Sequence, residues 1–95
     1  MNDAEIQPKM SILIVEEEVD VALLMKAYFL RKNYEVIIAQ TFSDALLSAR
    51  DHQPAYIFLA TPTGMSDKTA IEKLRVAAPR AQIHLSREFH PGSDL

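Results

Sequence analysis

Ninety-five residues suffice for one domain around one hydrophobic core and exclude a second core. Hydrophobic residues at 48% and charged residues at 24% describe a globular chain, while 10 Lys+Arg against 13 Asp+Glu leave a net charge of −3 and none of the basic surplus that phosphate contacts with a nucleic acid require. The lack of cysteine rules out disulfides, thiolate metal sites and thiol catalysis.

Residues 1–10 read as a flexible lead-in, polar and acidic (MNDAEIQPK), without the apolar region of a signal peptide. No apolar run approaches the roughly 20 residues of a membrane-spanning helix, so the expectation is a soluble, cytoplasmic domain that engages no membrane. The first strand is Ile12-Leu13-Ile14-Val15, apolar on both faces and ending in the acidic cluster Glu16-Glu17-Glu18 with Asp20 behind it. A helix follows from about Asp20 to Lys32, with acids in its first turn, Arg31-Lys32 in its last, and Asn33 placed for a left-handed cap. Nine of the ten residues from Val21 to Leu30 are apolar or aromatic, Lys26 being the exception. A helix packed on one side only would show a stripe; this one calls for cover on more than one side.

Tyr34–Ala39 is the second strand. Thr41 or Ser43 caps a second helix that runs to about His52, where Pro54 breaks it. Tyr56–Ala60 is a third strand, continuously apolar and therefore central. Thr61-Pro62-Thr63-Gly64 is a turn, and Ser66 or Asp67 opens a third helix to about Ala78. Ala81–Leu85 is a short fourth strand on which Ile83 and Leu85 alternate with Gln82 and His84, the pattern of a half-exposed strand. Residues 88–95 read as a tail. Strands alternating with helices over short connections imply an α/β fold with a mainly parallel sheet and right-handed crossovers.

Four segments together resemble a response-regulator receiver domain: SILIVEEEVD for the first strand and acidic pocket, RKNYEVIIA for the end of the first helix and the second strand, DHQPAYIFLA for the approach to the phosphoacceptor, and AQIHLS for the fourth strand with its terminal hydroxyl. The resemblance covers residues 11–87. It implies a flavodoxin-like three-layer sandwich with strand order 2-1-3-4, the family's fifth strand and fifth helix being missing from this sequence. It also places the family's functional positions: the acidic pair on Glu16 and Glu17, the phosphorylated aspartate on Ala60, the switch hydroxyl on Ser86. The family's lysine, which ends the fifth strand, has no counterpart.

These departures carry the chemical expectation. A methyl group at Ala60 cannot accept a phosphoryl group, which needs a carboxylate nucleophile. It also removes one oxygen ligand from a Mg²⁺ site that wants near-octahedral geometry at about 2.0–2.1 Å. Glu16 and Glu17 each add a methylene to the arms that remain. The expectation is a degenerate pocket (Glu16, Glu17, Ala60, Ser86) with weak or lost Mg²⁺ binding, no cofactor and no catalytic residue. Thr61, Thr63 and Ser86 are the substitute acceptors weighed against it, and a cation held by Glu16 and Glu17 is the alternative use of the pocket. The plainer reading of the acidic run is a solvated loop that favours the next helix N-terminus. His52, His84 and His90 match no metal-binding spacing.

The function expected is that of a pseudo-receiver acting as a protein-interaction module in signal transduction, with a fragment of a longer response regulator as the alternative. Its partner would be a protein, a second copy included. The candidate surfaces are the first helix (Leu23, Phe29, Leu30) and the fourth-strand edge (Gln82, His84), where unpaired backbone groups invite another chain.

Overall fold

The structure is a computed structural model that describes residues 9–90. Its elements are β1 (Ser11–Val15), α1 (Val19–Arg31), β2 (Glu35–Ala39), α2 (Phe42–His52), β3 (Tyr56–Leu59), α3 (Asp67–Ala77) and β4 (Gln82–Leu85), followed by a single 3₁₀ turn over Ser86–Glu88. The four strands are all parallel and lie in the order β2-β1-β3-β4. This is the receiver-like, flavodoxin-type order expected from the sequence. Most of the proposed lead-in (residues 1–8) and of the proposed tail (residues 91–95) lies outside the described residues. Among the described residues no helix is long and apolar enough to cross a membrane.

Strand periodicity sorts the core into two layers. Leu13 and Val15 of β1 and Ile57 and Leu59 of β3 point to the α2–α3 side, where they meet Ala45, Ala49, Ala70 and Leu74. Ile12, Ile14 and Phe58 point the other way, onto Ala22, Met25 and Phe29 of α1. β1 is paired on both edges and covered on both faces, so Ile12, Leu13 and Ile14 retain no exposed surface. Each such side chain contributes about 1.5–3 kcal/mol through burial.

The helix ends follow local chemistry. Thr41 accepts the Asp44 N–H at 3.1 Å, and Ser66 accepts the Thr69 N–H at 3.1 Å, each closing the first turn of its helix. Asn33 adopts the left-handed conformation anticipated for it (φ 67°), and the Tyr34 N–H returns to the Phe29 carbonyl at 3.1 Å. Gln53 is also left-handed (φ 46°), a conformation its side chain supports: Nε2 lies 2.9 Å from both the Arg50 and the Ala77 carbonyls. The second of these contacts ties the end of α2 to the end of α3.

Three expectations need correction on the α1 side. Phe29 is core, not interface. It has no exposed surface and sits among Tyr28, Tyr34, Phe58 and Phe89 with ring centroids 5.0–5.9 Å away. It buries because positions 22, 25 and 29 share the stripe that faces the sheet. The chain after β4 is not all tail either. The 3₁₀ turn carries Phe89 back over the sheet, edge-on to Tyr28 and Phe58 at 5.2 and 5.7 Å. Phe89 thereby covers ground that α1 leaves open. His84, nominated for the strand edge, stacks on Phe58 at 5.2 Å and 21°, with its Nε2 atom buried and unpartnered, so its ring is directed inward. Gln82, Leu23 and Leu30 are exposed as expected.

The cluster sets a stability contrast. Phe29→Ala should cost about 3–5 kcal/mol in urea or guanidinium unfolding, a large part of the stability of a chain this size, whereas Leu24→Gln on the exposed face should stay within about 0.5 kcal/mol of the parent at monomeric concentrations.

Candidate functional site

In a parallel sheet with helices on both faces, the strand ends at the carboxyl edge are where side chains from separate segments meet. The registers define that edge. Val15 pairs with Ala39 and with Leu59, and Leu59 pairs with Leu85. One residue further along each strand are Gln40, Glu16, Ala60 and Ser86, which form a row across the sheet. The backbone ladder extends to this row: the Glu16 N–H donates to Ala39 at 3.0 Å and the Ala60 N–H to Val15 at 2.9 Å. Glu16, Ala60 and Ser86 thus stand side by side at this edge, with Glu17 next to Glu16 and exposed.

The row has little chemistry. Ala60 stands at the end of β3 next to β1 and offers only a methyl group. The Glu16 carboxylate turns back on its own loop, where Oε2 accepts the Glu18 N–H at 3.2 Å. Glu17, Glu18 and Asp20 are exposed. Among the described residues no three acidic or histidine side chains converge. With a methyl group at Ala60 and the Glu16 carboxylate turned onto the Glu18 N–H, the edge offers few oxygen ligands to a Mg²⁺ ion. The concavity of about 600 Å³ between α2 and α3, which includes Leu46, Leu47 and Val76, belongs to the helical layer and not to this edge.

The charged contact at this end of the molecule is one that the sequence did not reveal. Asp67, the first residue of α3, accepts the Thr61 hydroxyl on Oδ1 at 2.6 Å and the Arg87 guanidinium on Oδ2 at 2.7 Å. Thr61 follows Ala60 directly, and Arg87 follows Ser86. One carboxylate therefore clasps the segment leaving β3 to the turn leaving β4. The Arg87 hydrogen bond, and then the Thr61 hydroxyl, hold the Asp67 carboxyl below its ordinary value of 3.8, and the same contact raises the Arg87 guanidinium. The partners are 6 and 20 residues from Asp67 in the chain, so no local motif could have announced them. Of the substitute acceptors, Thr61 already has its hydroxyl committed to Asp67.

No protein-family model matches the chain, and no curated protein matches it. Among solved structures, it resembles a crystal structure described as the signal receiver domain of a Luxo repressor protein from Vibrio parahaemolyticus, with a TM-score of 0.69 and 21% sequence identity. The match covers 80% of this chain and 59% of that one, so the chain spans less than two thirds of the neighbour's length. At that identity the likeness is one of fold: a receiver-type sheet with its flanking helices.

The clasp carries a pH signature. A carboxyl held lower in the folded chain than in the unfolded one stabilises the fold fully above about pH 4, and that contribution is lost as pH falls through the depressed value. Asp67→Asn removes it. Denaturant unfolding from pH 7 down to about pH 2 should show a smaller loss of stability on acidification in this variant than in the parent. Equal losses would show that the pairing persists on protonation or contributes nothing.

Proposed function

We propose that this chain is a receiver-type module of two-component signalling that does not accept phosphate and acts by binding another protein. The observation that carries the reading is Ala60, at the end of β3 and beside Glu16, where a receiver-like site would need its nucleophilic carboxylate. The Glu16 carboxylate, turned back onto the Glu18 N–H, is consistent with the same reading, because phosphoryl transfer relies on a metal and positive groups to balance the developing charge. The likeness of fold to the Vibrio signal receiver domain supports the signalling context.

The Asp67–Arg87 contact bears on how such a module would work. A phosphoryl group added at this edge would bring a new charge around which neighbouring loops could rearrange. Here an internal carboxylate joins the segments after β3 and β4, through Thr61 on one side and Arg87 on the other. The two segments are already joined without a phosphoryl group, and the module responds to partner binding instead of to phosphate. It is not an enzyme in this reading, and it needs no metal. Its binding surfaces are the outward side of α1, where Leu23 and Leu30 are each about half exposed, and the edge of β4 around Gln82.

Treatment with a small-molecule phosphodonor and Mg²⁺, followed by intact mass measurement, should leave the mass unchanged. Thermal unfolding should not shift with rising Mg²⁺, since a ligand that binds only the folded state stabilises it by RT ln(1 + [L]/Kd). An acid-labile phosphate adduct would overturn the reading. A Mg²⁺-dependent rise in melting temperature that Glu16→Gln and Glu17→Gln abolish would favour the alternative use of the acidic turn as a cation site.

A further inference from the structure

Helix α1 carries more exposed apolar surface than any other described element. Val19, Val21, Leu23, Leu24 and Leu30 are all at least about one-third exposed, and Leu24 reaches 68%. Only Ala22, Met25 and Phe29 are buried. Isolated surface leucines need no explanation, but a run along one helix does.

The outward side of the helix has an order of its own. Asp20, Leu24, Ala27 and Arg31 are all exposed and fall at i, i+4, i+7 and i+11, which is one face of an α-helix. Leu23 and Leu30, spaced seven residues apart, flank that face on one side. The face is acidic at its first position, basic at its last, and apolar between them, with a small residue next to the centre. Turned end over end, it complements itself. An antiparallel copy centred between Met25 and Lys26 sets Asp20 against Arg31 of the second copy and Leu24 against the second Ala27, at both ends alike. The two flanking leucines of each copy then gather on the same side of the pair. A parallel copy would set Asp20 against Asp20 and Arg31 against Arg31. Antiparallel pairing also opposes the two helix dipoles.

We infer that the outward face of α1 is a homodimer surface, with two copies of the chain packed through antiparallel α1 helices in the register that pairs Asp20 with Arg31. The inference deepens the proposed function by naming the partner and the geometry, and it rests on that reading only in taking α1 as the interaction surface. The arrangement is isologous, so each contact occurs twice and a single substitution is felt at two places.

Charge reversal in sedimentation equilibrium tests both the surface and the register. The parent should form a dimer at micromolar concentration. Asp20→Arg and Arg31→Asp, each placing like charges at both ends, should weaken dimerisation by about tenfold. An equimolar mixture of these two variants restores both ion pairs in a heterodimer, as the double variant D20R/R31D does in a homodimer, so each should recover the parent's affinity. Circular dichroism melts establish that each variant is folded, and Leu24→Glu, which leaves both charges in place, should abolish the dimer. A monomeric parent would overturn the inference, as would single reversals that leave the dimer intact or a mixture that fails to restore it. None of these results changes the phosphodonor outcome, so failure of the dimer and failure of the proposed function remain distinguishable.

Discussion

The parallel pairing of β1 with β2 on one side and β3 on the other fixes the rest of this molecule. Ile12, Leu13 and Ile14 are sealed on every side, and each points alternately into one of the two core layers. Because side chains alternate with a period of two, slipping β1 by one residue against either neighbour would exchange the two layers, pressing residues fitted to α1 against α2 and α3. The same register determines which residues stand side by side where the strands stop. Glu16, Ala60 and Ser86 are neighbours because Val15, Leu59 and Leu85 are paired.

That edge is quiet, and the fold compensates for the quietness. Where carboxylates from several strands crowd one spot, their mutual repulsion must be met by a bound cation. Here the acids after β1 disperse into solvent or back onto their own loop, and Asp67 takes its cation from Arg87 within the chain. The contact is exposed and not strong in isolation. Its importance is topological, because it links the segment after β3 to the turn after β4. The aromatic group around Phe29 has a comparable role on the opposite face. Phe89 arrives there from beyond β4 and adds its ring to the α1 layer.

Much of this was legible in the sequence, because it depends on local pattern. Continuous apolar runs marked the two central strands, Asn33 marked a helix end, and each of the next two helix starts was narrowed to two candidates, Thr41 or Ser43 and Ser66 or Asp67, while the alternation on Gln82–Leu85 marked a strand but not its cover, since Ile83, His84 and Leu85 are all half-buried. The end of the third strand at Ala60 could be read from the apolar run, while its place beside Glu16 was what the resemblance to receiver domains implied. What could not be read was tertiary choice. Phe29 and Leu30 are adjacent, similar in character and opposite in fate, since a one-residue step around a helix decides which faces the sheet. Gln53 adopts a left-handed backbone that composition gave no reason to assign to glutamine, and it does so with help from a carbonyl 24 residues away. Asp67 and Arg87 meet only after α3 and β4 are in place. Phe89, in a stretch of polar residues, had no periodic context that would have placed it in the core.

The strand at the centre of the sheet is also the first to be made. During synthesis, β1 leaves the ribosome without either partner, gains β2 early, and waits for β3 until about 44 more residues have followed Val15. At the usual 5–20 residues per second this interval is on the order of 2–9 s. Through it, Ile12-Leu13-Ile14-Val15 presents a bare apolar ribbon, the type of segment that nascent-chain chaperones and neighbouring translation products recognise. A topology that places the earliest strand in the middle postpones closure of the sheet around it until β3 has been made.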